Sequence, residues 1–155
     1  MARRGFGDEV WWLARDGKLD ALQRAAELLG GHDDLAYEAH RARAFALAVE
    51  GRGDDALAEL NEGWTEEWPV PAAYAVDVAR VRFLAGDHAA ALGALELAAR
   101  SAETLDGELP ELVRLCVARS PALWTRGLRV ALAGGPPGTR ARAAARVVRT
   151  RLAAR

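Results

Sequence analysis

The feature that most constrains the fold is a helix-length pattern that recurs along the first two thirds of the chain. The recurring pairs are Ala21-Leu22, Ala56-Leu57 and Ala91-Leu92. They are spaced 35 residues apart, and they lie five residues after Asp16, Gly51 and Gly86 respectively. Self-similarity near this period is typical of helix–turn–helix units that bury their apolar faces by stacking. The sequence therefore predicts a helical solenoid.

The rest of the chain also favours helices, because no stretch alternates apolar and polar residues as a strand would. Glycine- and proline-rich breaks predict helices over 8–15, 18–29, 34–50, 54–66, 72–85, 88–103, 110–119, 121–133 and 139–153. We group them into a repeat domain over 1–135, with repeats at about 5–32, 34–69 and 71–104 and a divergent hairpin or cap at 108–134, followed by a basic helix at 136–155. An alanine-rich bundle without repeats is the alternative.

The small residues of the third repeat have a predicted packing role. In "GDHAAALGALELAAR" (86–100), Ala91 and Ala98 should let the helix lie close against its hairpin partner. Leu92 and Leu95 should then fill the grooves between the ridges of the neighbouring helices. The sequence therefore predicts that this alanine-rich helix is packed on two sides.

Two segments resemble the tetratricopeptide repeat (TPR). These are "RARAFALAVEGRGDDALAELNEGW" (41–64) and "VARVRFLAGDHAAALGALELAAR" (78–100), which share a small residue in the first helix (Ala44, Ala79) and a glycine at the turn. Residues 12–29 match less well, because Asp16 stands at the turn position and Glu9 at the small-residue position. The resemblance covers residues 5–104 and implies an all-α, TPR-like solenoid with C-terminal capping helices.

TPR proteins bind a partner segment on a concave face lined by the first helix of each repeat, so the resemblance implies such a face here. Its candidate residues are Phe6, Val10, Glu38, Arg41, Phe45, Val76, Arg80 and Phe83. Trp11 joins them because adjacent Trp11 and Trp12 point about 100° apart on a helix and cannot share one buried face. Such a face suits a protein or peptide segment with apolar anchors and a carboxylate. The alternative is that Phe45 and Phe83 pack between repeats.

Charge is segregated along the chain. Every acidic residue precedes position 112, whereas residues 112–155 contain ten arginines. The candidate anion contacts are Arg140, Arg142, Arg146, Arg149, Arg151 and Arg155. We expect Thr139 to cap the last helix, and Ala141, Ala145, Val148 and Leu152 to form a narrow apolar stripe between the arginines.

The stripe and its arginines allow three interpretations. The helix docks on the acidic solenoid or contacts a partner protein, it binds nucleic-acid phosphates, or it lies on an anionic membrane. The first is favoured. The membrane is disfavoured because the stripe lacks large apolar residues. Nucleic-acid binding is disfavoured because no aromatic residue that could stack on a base lies among the arginines.

The sequence carries no catalytic constellation. His32, His40 and His88 are scattered, and His40 and Glu50 are too far apart along one helix to act as paired ligands. Cys116 is the single cysteine and is expected in the core. No enzyme activity, metal or cofactor is predicted, and a cytoplasmic location is expected. The predicted function is a protein–protein interaction module, with homo-oligomerisation allowed; the alternative is a nucleic-acid-binding accessory protein.

Overall fold

A computed structural model describes residues 3–65, 68–101, 108–134 and 137–154. The helices within them are α1 (Arg3–Arg15), α2 (Leu19–Gly30), α3 (Ala36–Val49), α4 (Gly53–Gly63), α5 (Pro71–Leu84), α6 (His88–Ser101), α7 (Glu108–Arg119), α8 (Trp124–Ala133) and α9 (Pro137–Ala153). Short 3₁₀ turns at Asp33–Leu35 and Pro121–Leu123 precede α3 and α8. No strand occurs in these ranges, so the all-α prediction is confirmed for them, and each predicted helix has its counterpart.

The chain divides into two compact units. The first comprises Met1–Pro69 together with Leu84–Gly86, and the second comprises Val70–Phe83 together with Asp87–Arg155. Helices α1 to α4 build the first unit, and α5 to α9 build the second apart from the last residue of α5. The predicted boundary at residue 135 falls inside the second unit.

Three of the helices end in the same way. Gly17, Gly51 and Gly86 adopt φ values of +66°, +82° and +88°, a left-handed conformation that a side chain would disfavour. After each glycine, a backbone N–H donates across the turn to the carbonyl five residues earlier, at 2.9 Å in all three cases. The donors are Lys18, Arg52 and Asp87, and the acceptors are Leu13, Leu47 and Arg82. This is the hydrogen bond of a Schellman motif, which ends a helix and turns the chain back.

The first repeat is in a different register from the one that the Ala-Leu pairs predict. Leu22, and not Ala21, is the fully buried residue that corresponds to Ala56 and Ala91. The structural spacings are therefore 34 residues and then 35. The turn residue of the first repeat is accordingly Gly17 instead of Asp16.

The same one-residue offset from the predicted alignment applies to the preceding helix, α1. Val10, and not Glu9, is the buried counterpart of Ala44 and Ala79, while Glu9 is exposed. With this register, the first repeat places a buried apolar residue where the predicted alignment had a carboxylate. The buried residues of this segment are therefore offset by one position from the predicted alignment.

Helix α3 is the centre of the first unit, where it packs on α1, α2 and α4. Alanines on several sides of α3 are buried, among them Ala39, Ala42, Ala44 and Ala48. Small side chains on opposite faces let neighbouring helices approach closely, and alanine also has the highest helix propensity. Phe45 supplies the bulk that these alanines lack, and it is fully buried.

In the second unit, α6 packs on α7 and α8, and α9 packs on α7 and α8. The predicted burial of Ala91, Leu92, Leu95 and Ala98 on α6 is confirmed. Gly127 on α8 allows a close approach, because a Cβ there would lie 2.6 Å from Val117 Cγ2, 3.5 Å from Val113 Cγ1 and 3.7 Å from Val147 Cγ1. Valines of α7 and α9 thus converge on a position that has no side chain.

Cys116 lies in the core of the second unit. Its side chain is fully buried, and burial raises the pKa of the Cys116 thiol to about 12. A thiol with such a pKa is almost entirely protonated at neutral pH, so it is a poor nucleophile. The expected role of Cys116 as a core residue is confirmed.

Candidate functional site

The predicted partner-binding residues of the first unit lie mostly in its core. Val10, Trp11 and Phe45 are buried, and the Trp11 and Phe45 rings meet edge to face with centroids 5.9 Å apart. Arg41 is buried as well, with its guanidinium carbon 4.8 Å from the centroid of the Phe45 ring. Glu38 is half-buried. Packing inside the unit, the alternative for Phe45, therefore accounts for its position.

The predicted residues of the second unit are arranged similarly. Val76 and Arg80 are buried, and Phe83 is half-buried with its ring 5.4 Å from the His88 ring. Arg80 Nη1 donates to Asp77 Oδ1 at 3.2 Å, an ion pair one turn apart on α5 that is itself buried. An ion pair of this kind needs its partner, since leaving either charge buried alone would cost several kcal/mol.

One of the two adjacent tryptophans is buried and the other is exposed, as expected, but the exposed one is Trp12 and not Trp11. Trp11 is buried with Val10 and Ala14, whereas Trp12 is 56% exposed. The Arg15 guanidinium carbon lies 4.6 Å from the Trp12 ring centroid and 5.8 Å from that of Trp11. Of this pair, Trp12, which was not among the candidate partner-binding residues, is therefore the one that a partner could reach.

Helices α2, α3 and α4 of the first unit enclose a groove of about 340 Å³. Its lining residues are Gln23, Ala26, Glu27, Arg43, Ala46, Leu47, Glu50 and Glu59. Three of these are carboxylates and one is an arginine, so the groove is predominantly acidic. At its edge, Arg43 Nε donates to Glu59 Oε1 at 2.6 Å, and His40 Nδ1 lies 2.9 Å from the same oxygen.

This ion-pair network ties α3 to α4. Partial burial opposes ionisation of Glu59, but the hydrogen bonds and charges of Arg43 and His40 outweigh it and lower its pKa. Gly63 makes room for His40, because a Cβ at position 63 would lie 2.5 Å from His40 Cβ. Ligand atoms of His40, Glu59 and Glu62 lie within 4.8 Å of one another, a set that could hold a metal ion. Arg43 donates to the same Glu59 oxygen, so this carboxylate already has a cationic partner on α3.

Helix α9 packs on α7 and α8 through a face that differs from the predicted stripe. Ala143 and Val147 are its buried residues. The predicted stripe of Ala141, Ala145, Val148 and Leu152 is instead exposed, with Val148 at 39% and Leu152 at 56%. Since residues four and seven positions apart lie on one side of a helix, the stripe faces away from Ala143 and Val147. The apolar stripe is therefore not the face through which α9 packs on α7 and α8.

The arginines of α9 flank the exposed stripe. Arg140, Arg142, Arg146 and Arg149 are exposed, and Arg151 is half-buried. The helix contains no acidic residue, so it is a continuous cationic surface with an apolar centre. It begins at Pro137, two residues before the predicted cap Thr139. Two candidate residues, Arg155 and the side chain of Phe6, lie outside the described residues.

No family model, curated protein or solved structure matches the chain. Within the described ranges, no helix combines the length and the apolar character that crossing a bilayer requires. The surfaces of the chain itself therefore have to indicate its function.

A histidine at the start of α6 links that helix to the end of α7. His88 Nδ1 and Ser120 Oγ are 2.6 Å apart and share a hydrogen bond. Partial burial and the nearby Arg119 charge lower the pKa of His88, and the opposing effect of Asp87 is smaller. Protonation of His88 is therefore less favourable in the folded chain than in the unfolded chain.

We expect the free energy of unfolding to fall as the pH drops from about 7 to about 5. The pKa of His88 is lower in the folded chain than its ordinary value of 6.5. At a pH between the folded and the unfolded pKa, the unfolded chain therefore binds more protons than the folded chain, and stability is lost as the pH falls through this range. Urea unfolding at both pH values should show a smaller loss for His88→Gln than for the wild type. His32→Gln, at an exposed position, is the control; equal losses in all three proteins would contradict the prediction.

Proposed function

We propose that this chain is a TPR-like helical-repeat protein that acts as a protein–protein interaction module, such as an adaptor, an assembly factor or a regulatory subunit in the cytoplasm. The observation that carries the proposal is the exposed apolar stripe of α9, on the side of the helix opposite its buried residues. We place the partner-binding surface there because most residues of the predicted concave face are buried.

The repeated turns support the TPR-like part of the proposal. Gly17, Gly51 and Gly86 end three helices with the same hydrogen bond, and the buried positions after them recur at 34 and 35 residues. A period of 34 residues is that of the TPR. The register shift in the first repeat brings its buried residues into the pattern of the other two.

The exposed stripe of α9 supports the proposal that the chain is a protein–protein interaction module. Single exposed apolar side chains are ordinary on protein surfaces, but four in line on one helix face form a continuous strip. The helix is anchored by Ala143 and Val147, so Val148 and Leu152 are not required to hold it in place. A preformed helix also loses little conformational entropy when a partner binds, which favours association.

Nucleic acid is the second candidate, because α9 is cationic and has no acidic residue. Arginines alone would bind phosphates, and that binding would weaken steeply with added salt. The stripe favours a protein instead, since apolar side chains contribute little to phosphate contacts. The segment from Pro137 to Ala153 also contains no aromatic residue that could stack on a base.

An affinity capture from native lysate tests the proposal with three forms of the full chain. The forms are the wild type, Val148→Asp/Leu152→Asp, and the control Leu28→Asp on an exposed position of α2. We expect a protein that the wild type and the control retain after nuclease treatment and that the stripe variant loses. A partner that disappears with nuclease would favour the nucleic-acid candidate, and one that the stripe variant retains would place binding elsewhere.

A further inference from the structure

The exposed stripe has the spacing of a coiled-coil seam. Ala141, Ala145, Val148 and Leu152 follow one another at intervals of four, three and four residues. Residues with this alternation form the narrow apolar line that packs against a second helix. We infer that the α9 stripe pairs with an amphipathic helix of another protein, and that this helix carries acidic residues beside its apolar seam. The inference rests on the proposed function.

The charges beside the seam specify the acidic partner. Arg142 and Arg149 each follow a stripe residue by one position, and Arg151 precedes Leu152 on the other side. These positions correspond to those that form ion pairs between helices in a coiled coil and determine partner choice. Glutamate or aspartate at the facing positions would accept hydrogen bonds from the guanidinium groups, which bind carboxylates in a bidentate manner.

A second copy of the same helix fits this surface poorly. Pairing two α9 helices would bring arginines against arginines along the seam, because α9 carries no acidic residue to face them. Like charges at facing positions destabilise helix pairs. A nucleic acid would satisfy the arginines but would leave Val148 and Leu152 without an apolar contact.

Two designed helical peptides test the inference. Each has about four heptads with leucine along its seam; one carries glutamate and the other lysine at the flanking positions, so that neither pairs with itself. We expect full-length wild-type protein to bind the glutamate peptide at least about tenfold more tightly than the lysine peptide, measured by fluorescence anisotropy. Added salt should reduce this difference, because ion pairs at an exposed rim are screened.

Variants of α9 make the test specific. Val148→Asp/Leu152→Asp should lose the glutamate peptide, whereas Leu28→Asp should bind it as the wild type does. Arg142→Glu/Arg149→Glu should reverse the preference and select the lysine peptide. Circular dichroism spectra and melting curves that match those of the wild type would show that the variants remain folded.

Several outcomes would overturn the inference. They are equal binding of both peptides, binding of neither, an unreversed preference in the charge-exchanged variant, and self-association that the stripe variant abolishes. Binding of duplex DNA that survives Val148→Asp/Leu152→Asp, with no peptide preference, would assign the arginines to phosphates. If the peptides fail while lysate capture still yields a stripe-dependent protein, the interaction function stands and only the acidic helix is excluded.

Discussion

Replacement of Phe45 by alanine is expected to lower the free energy of unfolding by about 3–5 kcal/mol. Phe45 is fully buried, and truncation of its ring removes the edge-to-face contact with Trp11. The change also leaves the buried Arg41 guanidinium without the aromatic face against which it lies. The loss therefore combines a cavity, a missing ring pair and a missing contact between a guanidinium and an aromatic face.

Urea unfolding followed by circular dichroism measures this effect. Leu28→Ala on α2 is the matched control, because Leu28 is 75% exposed and a surface change of this kind alters stability by less than about 0.5 kcal/mol. If Phe45→Ala were as stable as the control, Phe45 would not be a core residue. Its original interpretation as part of a partner-binding face would then be favoured again.

The helices could be predicted because their ends are marked by residue type. Many helices end at a glycine in the left-handed conformation, and Gly51 and Gly86 adopt it at the positions where the sequence predicts a turn. The first repeat was predicted out of register because both Asp16 and Gly17 are turn-forming residues. The neighbouring residues do not indicate which of the two occupies the turn position. The burial of Leu22 instead of Ala21 identifies Gly17 as the turn residue.

The Glu59 network was missed because its residues were compared only within one helix. An antiparallel hairpin brings together residues that lie at equal distances from its turn. Arg43 and Glu59 each lie eight residues from Gly51, and His40 and Glu62 each lie 11 residues from it. A search for residue pairs symmetric about the turn glycine would have found this cluster from the sequence.

The packing face of α9 could not be predicted from hydrophobicity. The helix has one apolar line through Ala141, Ala145, Val148 and Leu152 and another through Ala143 and Val147. The longer and more apolar line is the predicted stripe. The shorter one is buried instead, since Gly127 lets Val147 approach α8 closely. A neighbour distant in sequence therefore decides which face packs.

The adjacent residues Val147 and Val148 should consequently respond in opposite ways to the same substitution. Val147 is 1% exposed among the valines around Gly127, so Val147→Asp places a carboxylate in an apolar environment. We expect a loss of about 3–5 kcal/mol, or unfolding of the second unit, because an uncompensated charge in a core is this costly. Urea unfolding together with the tryptophan fluorescence spectrum measures the change.

Val148→Asp should leave the free energy of unfolding within about 0.5 kcal/mol of the wild type, because Val148 is 39% exposed and the new carboxylate is solvated beside arginines. The same variant should weaken partner binding at least about tenfold, since it interrupts the seam at one of its two largest residues. Loss of stability in both variants would mean that the stripe is part of the core. Loss of binding in Val148→Asp alone, with stability retained, would separate the two faces of α9 into one that folds the unit and one that binds.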